Sequence, residues 1–216
     1  MTAFDARDPA PAISDTESAP DWNFARHAPA TARDKILSAA SHLFCHNGFS
    51  ATGIDTIIAR AGTAKATLYN HFASKDALIE AVLEAEGAAW RRWFFGRLGQ
   101  VRGRPEDRVL AVFDVLRDWF ADENYFGCPF INAVAEFETG NPAIRAAADV
   151  HKAHLFTWLK AAAIEMQVDR PEDVARGIVV LVDGAIVAAQ HARNPEFALD
   201  AKGVAAVYLA GLRPAR

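Results

Sequence analysis

The chain has 216 residues, 51% hydrophobic and 23% charged, enough for a sizeable core beneath a polar surface. Its 23 basic and 27 acidic residues leave a formal charge of −4, which excludes a uniformly basic nucleic-acid coat but not a local basic face. Two cysteines, Cys45 and Cys128, are too few for a disulfide scaffold, and the longest apolar run, Gly177 to Ala189, is interrupted by Asp183. The expectation is a cytoplasmic protein with no membrane span.

Residues 1–30 hold four prolines, two basic and five acidic side chains, and no sustained periodicity. That composition predicts a disordered, mildly acidic tail, with Trp22 and Phe24 as candidates for tacking its end onto the body. It has neither the basic start nor the apolar run of a secretory signal. From Thr31 the pattern turns helical. Ile36, Ala39, Ala40, Leu43 and Phe44 form one apolar stripe, Thr31 to Asp34 resembles a capping box, and Asn47-Gly48 is a stop. Ile54, Ile57, Ile58 and Ala61 share a face of a second short helix, begun by Thr52 to Asp55 and ended by Gly62. A third segment, Lys65 to Phe72, follows after two residues, and a fourth helix starts near Ser74 and runs through Leu78, Val82 and Ala85 towards Trp93.

Beyond Gly96, proline with acids in a first helical turn recurs at Pro105 and Pro171, and Asn141-Pro142 and Asn194-Pro195 punctuate the chain similarly. No alternating strand pattern and no internal repeat appear. The fold class predicted is all-α, about nine helices. A helix-turn-helix unit over 31–78 is followed by a larger helical body over 79–216.

In a helix-turn-helix unit the third helix is the one presented to the major groove. Lys65 and Thr67 suit phosphate or base edges, Asn70 suits paired bonds to adenine, and Tyr69 and His71 add polar tips. Leu68 and Phe72 face inward, towards Phe44 and Ile57. Lys75 stands just after the expected cap Ser74, at the positive end of a helix dipole, where a DNA phosphate would reverse an unfavourable sign. From Thr31 to Asp76 five basic and three acidic residues give +2, against −6 for the remainder, a small asymmetry in the right direction.

The string from Ala61 to Leu78, with its core Thr67-Leu68-Tyr69-Asn70-His71-Phe72-Ala73-Ser74-Lys75, resembles the recognition segment of the TetR family of bacterial transcriptional regulators. Ile36 to Phe44 and Asn47-Gly48-Phe49 are similar to that family's first helix and following turn, so the resemblance covers Thr31 to Leu78. It implies that Lys65, Thr67, Tyr69, Asn70 and His71 face DNA, with Lys75 on phosphate. Ala64 stands where the family often has a Ser cap, leaving Thr63 to cap instead. Asn70 stands where an aromatic is common.

The resemblance further implies a homodimer on a palindromic double-stranded operator, most simply a repressor released by a small molecule. Val174, Ile178, Leu181, Val182, Ala185, Ile186 and Ala189, with Val204, Ala205, Val207, Tyr208 and Leu209 on the last helix, are candidates for a four-helix interface, and Gly177 and Gly184 would allow close approach. Thirteen of the 22 aromatic residues fall between Trp90 and Trp158, which favours a hydrophobic or aromatic effector. Candidate walls are Trp93, Phe94, Phe113, Leu116, Trp119, Phe120, Phe130, Phe137, Leu155 and Trp158, with Asn132, Glu136, His151 and His154 as polar anchors. Arginines 91, 92, 97, 102 and 104 suggest a solvated hinge. His151 and His154 share a helix face, but spacing names no further ligand, so no metal or cofactor is expected. The alternatives are a small helical enzyme using Cys128 with His151 or His154, and a helix-turn-helix that binds a protein.

Overall fold

Thr31 closes the expected capping box: its Oγ1 accepts from the Asp34 N–H at 3.2 Å, and its own N–H donates to Asp34 Oδ2 at 3.1 Å. The computed structural model that shows this describes residues 31–137 and 141–212; the expected tail over 1–30, with Trp22 and Phe24, lies outside the described residues. Among the described residues there are nine helices and no strand: α1 Ala32–Asn47, α2 Ile54–Ala61, α3 Lys65–His71, α4 Lys75–Leu98, α5 Pro105–Phe120, α6 Pro129–Phe137, α7 Pro142–Glu165, α8 Pro171–Ala192 and α9 Phe197–Ala210. Helix α6 has no obvious stop-and-start punctuation beyond Pro129 at its first position.

Helices α1 to α3 pack on the start of α4 to form a head. Ile36, Phe44, Ile57, Leu68 and Leu78 are almost wholly buried there, each burial being worth about 1.5–3 kcal/mol. The body is an α5 to α9 bundle, with α8 between α7 and α9 and α5 against α9. Helix α4 belongs to both units. It crosses the boundary expected at residue 78, burying Leu78, Ile79, Val82 and Leu83 against the head and Trp90, Phe94 and Leu98 against the body.

Thr52 does not start α2. The N-cap is Gly53, and the buried Thr52 hydroxyl instead donates within the α1–α2 turn, with Gly48 O at 2.7 Å and Leu43 O at 3.2 Å. Thr63 does not cap α3 either: Ala64 holds the cap position without a side-chain bond, and Thr63 Oγ1 is buried with no partner among the described residues. Ser74 does cap α4, accepting from the Ala77 N–H at 3.1 Å.

The face of α8 expected to meet a second subunit is used at home. Val174, Ile178, Val182, Ala185, Ile186 and Ala189 are buried within the chain, as are Ala205 and Leu209 of α9. The apolar residues left outside are Val180 and Val187 on α8 and Leu199, Val204, Val207 and Tyr208 on α9. Gly177 accommodates the Tyr208 ring, 3.2 Å from where a Cβ would stand, whereas Gly184 has open space. By length and composition alone α8 is apolar enough to cross a membrane, with mean hydropathy 1.4 over 18 residues, a test that the core helix of a helical bundle also passes. Its buried side is nonetheless part of the core, and its Asp183 is paired with Lys152 of α7.

Thr52→Val keeps the side-chain shape and removes the buried donor. It is expected to lower unfolding free energy by about 1–2 kcal/mol in urea titration; an unchanged midpoint would show that the turn does not depend on this bond.

Candidate nucleic-acid interface and internal cavity

Helix α3 is sorted into two faces by its own sequence. Leu68 is buried, while Lys65, Tyr69, Asn70 and His71 are exposed and Thr67 is half-buried. Phe72, just past the helix end, tucks back into the core with the Arg33 guanidinium over its ring at 5.2 Å. The exposed set stands on one side of the head, joined by two lysines that already have partners. Lys65 Nζ bonds Asp55 of α2 at 3.1 Å, and this carboxylate holds the ammonium above the ordinary lysine range. Both groups are solvated, so the pair opens readily to a competing anion. Lys75 Nζ donates to the Ser50 carbonyl at 3.2 Å, fastening the start of α4 to the α1–α2 turn.

Two small cavities of about 20 Å³ each lie inside the body and share Trp90, Trp119, Cys128 and His151. Glu86, Pro129 and Phe130 complete one, and Lys152, Leu155, Val182 and Ile186 the other. Phe130 stacks on the His151 ring at 4.0 Å and presses against α4 at Gly87, where an added Cβ would come within 2.8 Å of Phe130 Cζ. Trp90 meets Trp119 edge-on at 5.5 Å. The Trp90 indole N–H is buried with no hydrogen-bond partner among the described residues. Glu86 is also buried and accepts from the Ser41 hydroxyl of α1.

Burial, then the positive charges of Arg91 and Lys152, press the His151 imidazole down to about 3, so it is neutral at physiological pH. The Arg91 guanidinium stands 3.4 Å from its Nδ1. As a donor-only group, Arg91 assigns Nδ1 as the acceptor and leaves Nε2 carrying the proton. Burial pushes the Cys128 thiol up, and the Cys45 thiol up to about 12. Cys128 and His151 therefore share a cavity as a protonated thiol and a weakly basic imidazole, the reverse of what an activated thiolate needs.

A larger cleft, about 710 Å³, opens where head and body meet. Phe44, His46 and Gly48 of the head face Phe120, Phe126, Asn132, Glu136 and Arg193 of the body across it. Glu136, in the last turn of α6, accepts from the N–H groups of Phe49 at 3.0 Å and Ser50 at 2.7 Å. Gly48 has φ +84° and no Cβ, which is how the carboxylate gets so close to the turn. The Phe49 and Phe137 rings add an edge contact at 6.2 Å.

With this geometry in hand, comparison with known proteins is decisive. Residues 36–82 match the family described as bacterial regulatory proteins, tetR family. A solved TetR-family transcriptional regulator from Streptomyces coelicolor superposes with a TM-score of 0.72 at 30% identity, covering 81% of this chain and 94% of that one. The chain belongs to the TetR family. Among curated TetR-type relatives, the HTH-type transcriptional regulator QacR of Staphylococcus aureus is 30% identical over 50% of this chain and 54% of its own length. The HTH-type transcriptional repressor KstR2 of Mycolicibacterium smegmatis is 37% identical over 39% of this chain and 41% of its own length. The chain thus spans about half the length of the curated relatives it matches. The family match ends within α4, leaving the cavity walls of this TetR-family body to be read from its own residues.

Of the expected pocket residues, Trp119, Phe130, His151 and Leu155 line the small cavities, and Phe120, Asn132 and Glu136 line the junction cleft. Phe94, Phe113 and Leu116 are fully buried core, and Trp93, Phe137 and Trp158 are packed against it, lining neither space. His154 is exposed and bonded to the Val150 carbonyl, away from His151's cavity. Among the described residues no group of three His, Cys, Asp or Glu side chains is arranged to hold a metal. The arginine hinge is only partly solvated: Arg97 pairs with Asp118 at 2.6 Å, and Arg91 turns in to His151. Glu86 and Trp90 were missed because an acid and a tryptophan four apart look like ordinary helix positions; their i, i+4 spacing was the available signal.

The unfolded chain protonates His151 near 6.5, the folded chain only near 3, so its contribution is intact above 6.5 and is lost as pH falls towards 3. The full loss is on the order of 5 kcal/mol. Stability measured by urea titration should fall across that window and fall less steeply in His151→Phe. A His151 imidazole NMR signal, assigned by its absence from His151→Phe, that titrates near 6.5 in the native protein would contradict this.

Proposed function

We propose that this TetR-family chain is a cytoplasmic, sequence-specific DNA-binding transcriptional regulator whose DNA affinity a small apolar or aromatic effector relieves. The observation that carries the reading is the polar, solvated face of α3 over a buried Leu68, on a three-helix frame within the stretch matching the family. Lys65, Thr67, Tyr69, Asn70 and His71 are assigned to DNA, with Lys75 on phosphate at the capped start of α4. Residues 31–78 act as the head and 79–216 as the effector-binding and dimerising body. QacR is named a transcriptional regulator and KstR2 a transcriptional repressor, which supports repression as the mode.

One short helix gives weak discrimination, so two heads are needed, on a palindrome with half-sites about 34–36 Å apart. Val180, Val187, Val204, Val207 and Tyr208 form an exposed apolar face across α8 and α9 that suits a self-complementary contact. The effector site is assigned to the paired aromatic cavities, because filling them acts on Phe130 and hence on α6, whose other end holds the α1–α2 turn through Glu136. A ligand that favours one α6 position shifts the dimer away from the DNA-competent spacing.

Lys65→Ala and Tyr69→Ala should each weaken binding to a selected operator at least tenfold in fluorescence anisotropy, with melting temperature unchanged. The Lys65 variant should also flatten the salt dependence by about one counterion. Normal affinity in both would remove α3 from the interface, and binding indifferent to salt in the unmodified protein would favour a protein partner. Val207→Asp should convert a dimer to a monomer by light scattering; a persistent dimer would place the interface elsewhere.

A further inference from the structure

The side of the head that carries the exposed residues of α3 also carries a carboxylate. Asp55, in the first turn of α2, accepts from the ammonium of Lys65, the first residue of α3, at 3.1 Å, and the two side chains are 81% and 59% exposed. Beneath them the two helices are held at a fixed spacing. Ile57 and Leu68 are wholly buried, and the turn between is closed by Gly62 at φ +62° and by the Thr63 N–H on the Ile58 carbonyl at 3.1 Å. An acid beside a polyanion weakens binding to every sequence alike unless it makes a contact of its own. The other acids of the head are otherwise placed, Asp34 in the α1 capping box and Asp76 in the first turn of α4.

We propose that Asp55 reads a base: with Lys65 it recognises one G·C pair in each half-site, the ammonium on guanine and the carboxylate on the amino group of cytosine. This rests on the DNA-binding role assigned above to α3. In the major groove guanine offers two acceptors, N7 and O6, and cytosine offers one donor at N4. A lysine ammonium has three donors, so the one given to Asp55 leaves two for N7 and O6. A carboxylate accepts more than one bond, so Asp55 can keep Lys65 and take the cytosine N–H as well. The spacings agree. Lys65 and Asp55 are 3.1 Å apart, and O6 and N4, themselves hydrogen-bonded within the base pair, are about 2.9–3.0 Å apart.

The order of donors and acceptors decides against the other base pairs. C·G reverses it and sets the ammonium at a donor and the carboxylate at an acceptor. A·T puts a donor in the middle of the three positions, and T·A puts a methyl group at the first. A phosphate would use Lys65 alone and leave the Asp55 charge against the same backbone. Only G·C uses both side chains of the pair at all three positions.

An operator selected by the full chain from random duplexes, with each base change measured by fluorescence anisotropy on the unmodified protein and on Asp55→Ala, tests this. The operator should hold a fixed G·C pair at one symmetric position of each half-site, and reversing it to C·G in both should weaken binding at least tenfold. In Asp55→Ala the same reversal should cost at least threefold less, with the preferences at other positions kept. An Asp55 that acts only through its charge would tighten binding to all sequences alike and leave every preference unchanged; that result would overturn the inference with the DNA reading intact. An operator of the unmodified chain with no fixed G·C position would overturn it without reference to the variant. Enrichment of no sequence by the folded, dimeric chain would overturn the DNA reading and this inference together.

Discussion

One helix is shared by the two halves of this molecule, and most of what the structure does follows from that. Helix α4, about 36 Å long at 1.5 Å per residue, buries its first turns in the head and its later turns in the body. Its midpoint is held to α1 by a buried polar contact, Ser41 to Glu86, costly to break without replacement. A continuous helix cannot bend cheaply without a proline or a break in its ladder. On the reading proposed above, repacking at Gly87 or Trp90 would be carried along α4 to Lys75, where the helix meets the head.

The second connection is α6. Its first turn carries Phe130 against α4 and α7, and its last turn carries Glu136 to the backbone of the α1–α2 turn. Two charge-assisted bonds to backbone N–H groups are worth roughly 1.5–3 kcal/mol each when sheltered, and less here because Glu136 is exposed. Coupling energies between regulatory sites are typically about 1–3 kcal/mol. The two bonds are therefore of the size that the proposed coupling between body and head requires. Ser50 is a meeting point: its N–H goes to Glu136 of the body and its carbonyl to Lys75 of α4.

The head was largely legible in the sequence because its helices are short, strongly patterned and closed by recognisable caps, as at Thr31, Gly62 and Ser74. The failures there were local. Thr52 and Thr63 have the chemistry of caps, but the turn needs the first hydroxyl for Gly48 O and the fold buries the second. In the body the apolar pattern located the helices but not which apolar face belonged to the core. Helix α8 is apolar on nearly every side, so the split between buried positions such as Ile178 and Val182 and exposed ones such as Val180 and Val187 depended on where α7 and α9 packed. The cavity was legible only as an excess of aromatics. Which of them stayed near space was decided by tertiary contacts: Phe113 fills core, while Trp119, further along the same helix, lines a cavity.

The central claim is that α3 is presented to DNA twice, at a fixed spacing, by a dimer of this chain. Selection of a randomised duplex pool by the purified full chain near physiological salt tests it most directly. The account predicts enrichment of a palindrome whose half-sites lie about one helical turn, roughly 10–10.5 base pairs, or a multiple of it apart. Retention of no preferred sequence by folded, dimeric protein would contradict it.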